Sequence, residues 1–206
     1  MAMRAPAPTS SSTAERQNAV ILLAELRNFT RMSEMLEPQQ VLGLASRFFT
    51  LAAREVAEHG GETFEVYNDA LLAVFRHDSA SYQAEQAVKA AHGILVDFAG
   101  LAESWQEEFG LRTAVALALH HGETVFGLAG PQGMERPLAF GDSLSVADRL
   151  LHRARAGEFV FSDAMMAALA ASDLDLDAEP LPPLELARRA PIKIYGVLLD
   201  TRLDFT

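Results

Sequence analysis

A chain of 206 residues suits one domain, and a formal charge of -11 leaves too little basic surface for a phosphate backbone, which argues against nucleic acid as a partner. Cysteine is absent, so disulfides, thiolate nucleophiles and cysteine-type zinc sites are excluded. Half of the residues are apolar, yet no apolar run reaches membrane-span length and no signal-like stretch opens the chain; the expectation is a cytoplasmic protein without membrane insertion.

Residues 1–16, dominated by Ala, Pro, Ser and Thr, read as a disordered tail or linker, and 201–206 as a C-terminal tail, which leaves one domain over 17–200. An apolar run over 18–26 predicts a buried strand. The polar break 27–30 follows, with Asn28 available to cap a helical turn. Glu37-Pro38 opens a long helix whose buried face is Val41, Leu44, Ala45, Phe48, Ala52 and Val56, and Gly60-Gly61 ends it. Two short strands over 62–67 and 70–75 meet at Asn68-Asp69, residue types that suit a tight hairpin turn. A second long helix is predicted over 79–105, then strands over 112–121 and 122–128, with 130–137 as a projecting loop or arm. A helix over 143–152, a strand over 158–162, a helix over 163–170, an acidic Pro-rich loop over 173–183 and a last strand over 192–198 complete the order. Paired strands between two long helices predict an α+β sandwich, a sheet covered on one face by helices.

Two carboxylates stand out. Glu25 ends the first strand and Asp69 occupies the hairpin turn, and unpaired carboxylates near a core are costly, so the pair points to a shared cation. Each has a plainer reading: Glu25 as a solvated strand end, Asp69 as a turn residue. Asp142 suits a helix N-cap, and Arg149 an ordinary surface pair with Asp148. His120 and His121 are adjacent in a strand and therefore point to opposite faces, which excludes a joint metal site. Phe48, Phe49, Phe64 and Phe75 are core candidates, and Tyr67 is either packing or pocket lining.

The motif segments 23–30 (LAELRNFT), 60–75 (GGETFEVYNDALLAVF), 140–150 (FGDSLSVADRL) and 191–197 (PIKIYGV) resemble, in order and separation, the signatures of the class III nucleotidyl cyclases, the adenylate and guanylate cyclase catalytic domains. That resemblance implies a ferredoxin-like core enlarged to a seven- or eight-stranded sheet, working as a head-to-tail dimer with each active site between two subunits. It implies Glu25 and Asp69 as metal-bridging carboxylates, with the Leu26 carbonyl as a further ligand. Two Mg²⁺ or Mn²⁺ ions would hold a nucleoside triphosphate and make the ribose 3'-hydroxyl a better nucleophile. The amides of Asn28, Phe29 and Thr30 would hold the terminal phosphates, and Arg149 would face the α-phosphate across the interface.

Departures from the family pattern are equally specific. Glu25 replaces an Asp, with an added methylene that strict Mg²⁺ geometry accommodates poorly. The base-reading positions carry Glu65 in place of Lys and Leu138 in place of a polar partner; the ribose-orienting Asn is Ser145. Asn68 stands where a Gly precedes the second metal Asp. The phosphate-binding Lys position is Leu186, with Arg188 or Arg189 as the nearest stand-ins. A kept fold with partly stripped chemistry implies a catalytically weakened or inactive domain acting through dimerisation or nucleotide binding. The alternatives are an active cyclase of altered base selectivity, and the metal-binding half of a heterodimer.

Overall fold

The computed structural model describes residues 14–172, 174 and 176–198. Residues 1–13 of the tail expected over 1–16, and the tail expected over 201–206, therefore lie outside the described residues. Strand β1 (Glu15–Arg27) begins two residues inside the expected tail and is followed by α1 (Phe29–Met35) and α2 (Pro38–Glu58). The hairpin β2 (Glu62–Tyr67) and β3 (Ala70–Phe75) forms over the predicted residues, and Asn68 turns it with φ 51°. Helix α3 (Ala80–Phe109) is capped at its start by the Ser79 hydroxyl and runs four residues past its predicted end to Gly110, at φ 67°.

Strand β4 (Ala114–Ala129) is one continuous strand where two were predicted, because Gly122 stays in register opposite Ala19 of β1. Strand β5 (Arg136–Phe140) takes the end of the expected arm and returns antiparallel to β4. Helix α4 (Asp142–Leu151), strand β6 (Glu158–Ser162) and helix α5 (Asp163–Leu169) follow. The stretch read as a Pro-rich loop contains β7 (Glu179–Leu184), which pairs with β8 (Ile192–Leu198). An edge strand tolerates proline because its outer amides need no partner, and β7 lies at the sheet's edge.

The eight strands form one mixed sheet in the order β2-β3-β1-β4-β6-β8-β7, with β5 paired to β4. Side-chain alternation sorts the core by face. Val20, Leu22, Ala24 and Leu26 of β1 join Phe48 of α2, Phe98 and Trp105 of α3 and Met165 of α5 in the main core. Phe98 meets Phe48 and Trp105 edge-on at 5.7 and 5.5 Å between ring centroids. The one-faced sandwich expected from the sequence is corrected here: α4 lies on the opposite face, where Val146 and Leu150 pack on Ala116, Ala118 and Val160, and Ala147 on Ala19 and Ile21. Of the four predicted core phenylalanines, Phe48 and Phe75 are buried, while Phe49 and Phe64 are half-buried. Phe64 sits on the second face beside Phe126, under the Arg76 guanidinium.

Candidate active site

Alternation along β1 sends Glu25 and Arg27 to the face that carries α4. The same strand end is tied to the hairpin: the Leu26 amide donates to the Asp69 carbonyl at 2.9 Å. This bond carries Asp69 to the mouth of the pocket that Glu25 lines. Beyond Arg27 the chain reverses at Asn28, φ 65°, into α1. Asn28 occupies the N-cap position without capping through its side chain, which instead donates to the Arg112 carbonyl at 3.0 Å. An amide side chain that bonds locally tolerates this left-handed geometry better than most residues.

The result is an open pocket of about 410 Å³ lined by Glu25, Leu26, Arg27, Asn28, Phe29, Thr30, Arg31, Glu34 and Asp69. Glu25, Leu26, Asn28, Phe29 and Thr30 thus share one cavity with Asp69, which comes from the β2–β3 hairpin. Arg27 was not singled out from sequence, and the structure ties it to three partners. Its guanidinium pairs with the Glu25 carboxylate and donates through Nη2 to the carbonyls of Leu151 and Ala154 at 2.7 and 3.0 Å. Opposite charges two apart on a strand share a face, and that spacing is the signal that could have found the pair.

Burial pushes the Glu25 carboxyl up, against the lowering effect of Arg27; Asp69 and Asp148 push it further and His152 opposes them. Asp148 on α4 and His152 just past its end, one turn apart, thus act on this corner, and neither was singled out for it from the sequence. The donors are hard oxygens, as Mg²⁺ and Mn²⁺ prefer, and the raised carboxylate gains from a nearby cation, so the residues fit such an ion. Among the described residues no group of three His, Asp or Glu is placed to hold a metal. An ion held by Glu25 and Asp69 would therefore take its remaining ligands from elsewhere, such as water, as Mg²⁺ sites commonly do.

The other expected site residues are not in this pocket. Glu65 is exposed on β2, Leu138 is half-buried on β5, and Ser145 and Arg149 are exposed on α4. Among the described residues Arg149 forms no ion pair, and Asp148 is 3.8 Å from His152 instead. Asp142 is the first residue of α4, not its cap: Gly141 takes that position, and Arg189 grips Asp142 with bonds of 2.6 and 2.5 Å. Arg189 is thereby engaged by a carboxylate, while Arg188 is exposed at φ 66° and Leu186 packs against the α4 face. His120 and His121 do point apart. His120 bonds Ser162 Oγ at 2.7 Å and is lowered to about 4 by burial and the neighbouring His121.

This sheet, with a carboxylate pair at the end of β1 and the tip of the β2–β3 hairpin, defines a class: the sequence profile described as the adenylate and guanylate cyclase catalytic domain matches residues 12–198, and the chain belongs to that family. Adenylate cyclase 1 of Rhizobium meliloti is 28% identical over 137 residues, which covers 66% of this chain. The chain spans only 20% of that cyclase and 6% of an adenylate cyclase of Dictyostelium discoideum. The crystal structure of the adenylyl cyclase CyaB from P. aeruginosa superposes with a TM-score of 0.83 at 18% identity, covering 94% of this chain and 99% of that one. The guanylate cyclase domain of RhGC from Catenaria anguillulae, in complex with GTP, gives 0.75 at 18% identity, covering 89% and 97%. No described helix is long and apolar enough to cross a membrane.

Proposed function

We propose that the chain is a divergent cyclase domain of cyclic-nucleotide signalling that binds a metal-chelated nucleoside triphosphate and is weakened or inactive in cyclisation. The observation that carries this is the contrast within the site. Glu25, Asp69 and the turn at 28–30 open on one pocket, while the base and ribose positions hold Leu138 and Ser145. In this reading the carboxylates and the Leu26 carbonyl hold Mg²⁺ or Mn²⁺, which supplies the charge that binds the triphosphate. The amides of Asn28, Phe29 and Thr30 take its terminal oxygens. Exposed Arg149 reaches the α-phosphate only when a second subunit brings it there, so the working unit is a dimer, a homodimer or a pair with another cyclase domain. Leu138 offers no hydrogen bond to a base, and Ser145 offers the ribose one short hydroxyl, so transition-state positioning is lost before metal binding is.

A second reading rests on Glu65. An ionised carboxylate only accepts hydrogen bonds, so it suits a base edge with two N–H donors, as guanine presents, over adenine's mixed edge. That favours an active cyclase with a base preference set by Glu65. Incubation with Mn²⁺ and ATP, GTP, CTP or UTP, with products read by mass spectrometry and nucleotide affinity by calorimetry, separates the two. Metal-dependent binding that is lost in Asp69→Ala, with little or no 3',5'-cyclic product, is the expected result. Rapid turnover of one triphosphate, lost in the same variant, supports the second reading instead.

A further inference from the structure

We infer that Arg27 is an internal counter-cation for Glu25, and that a divalent ion entering the carboxylate pair must compete with it. The inference rests on the proposed metal role of Glu25 and Asp69 and adds a residue that tunes it. The Arg27 fork is divided between two jobs. Nη1 holds the Glu25 carboxylate, and Nη2 holds the carbonyls of Leu151 and Ala154, at and just beyond the end of α4. The Leu151 carbonyl, which also accepts the Ala154 amide at 3.2 Å, lies at the negative end of the helix, and the Ala154 carbonyl lies just past it, so the guanidinium is held independently of Glu25. About three-quarters of each side chain in the pair is out of solvent, so water screens the contact only in part. The planar fork also makes the arrangement specific to arginine, because an ammonium cannot span a carboxylate and two separate carbonyls in one plane.

Competition follows from where the groups lie. Glu25, Arg27 and Asp69 line the same pocket, so a cation bridging the carboxylates draws on oxygens that Arg27 already engages. The reach of Glu25 matters too. Shortening it by one methylene withdraws its carboxylate from a guanidinium that the α4 carbonyls keep in place. The same tie links the carboxylate to the helix that bears Ser145 and Arg149.

Mn²⁺ titration of the full chain, followed by the paramagnetic resonance signal of free Mn²⁺, tests this without nucleotide or turnover. Arg27→Gln should tighten Mn²⁺ binding by up to about fivefold, the upper scale of one partly exposed ion pair. Mn²⁺ should also raise its thermal midpoint more than that of the wild type, and adding Asp69→Ala should abolish both gains. Arg27→Lys, which keeps the charge, should fall between. A purely structural Arg27 would lower the midpoint and leave Mn²⁺ affinity unchanged, which would overturn the inference while leaving the metal role of the carboxylates intact. If Arg27→Gln does not fold, Arg27→Lys carries the test: tighter Mn²⁺ binding supports the competition and unchanged binding overturns it. No Mn²⁺ binding by any form would overturn the metal reading itself and this inference with it.

Discussion

The carboxylate corner and the proposed base-reading side of this domain differ in how far one chain completes them. At the corner, Glu25 is half-buried and held by Arg27, Asp69 is drawn in through the Leu26 amide, and the turn at Asn28 closes against the Arg112 carbonyl. On the other side, Glu65, Ser145 and Arg149 are exposed on separate elements, and Leu138 offers only hydrocarbon. Charged groups that a chain buries must be matched within it or they cost stability, whereas exposed ones cost little and can wait for a partner. The corner therefore has to be consistent in the monomer, and the base-reading side does not.

The largest predicted effect lies outside both regions and sets the background for comparing them. His120 is held neutral in the fold, so as pH falls from 6.5 towards 4 the unfolded chain takes a proton that the folded chain refuses. Stability should drop across that window by up to about 3 kcal/mol, and denaturant titrations of His120→Gln should show most of that slope removed. In that background, Asp69→Ala should lower metal-dependent triphosphate affinity by about 100-fold, read by calorimetry, with little change in the denaturation midpoint. Arg27→Ala should cost about 2 kcal/mol, because it strands a half-buried carboxylate and removes two hydrogen bonds to carbonyls at the end of α4.

Glu25 should show the opposite pH sign to His120. Its folded carboxyl keeps its proton to higher pH than the unfolded one, so stability should decline as pH rises from the ordinary carboxylate range to the raised folded value. Glu25→Gln should flatten that decline. The smallest effects belong to the base-reading side: Glu65→Ala and Ser145→Ala should each change monomer stability by less than about 0.5 kcal/mol. A drop of several kcal/mol in either would erase the contrast between the two regions, because those side chains would then be matched within one chain after all.

Much of the fold was legible because it is local. Strands β2, β3, β6 and β8 fall on the predicted residues, since each is a short apolar or alternating run ended by turn residues. Strand β7 was hidden by Pro180, Pro182 and Pro183, whose tolerance depends on lying at a sheet edge, a fact of topology. Strand β5 was hidden by its length and its Pro137, and the break read at Gly122 vanished once β1 supplied a continuous partner. Asp142 looked like a cap because Asp before an apolar run usually is one; the chain starts the helix one residue earlier and gives Asp142 to Arg189, 47 residues on.

From sequence alone came the family, the α+β class and the two carboxylates, because motifs and periodicity are written in neighbouring residues. Only the tertiary structure decided that α4 takes the second face, that Arg27 joins Glu25 to the end of α4, and that the two halves of the site stand apart. Those outcomes depend on which strand lies beside which and on where a helix ends, and each contact joins residues that spacing along the chain cannot bring together.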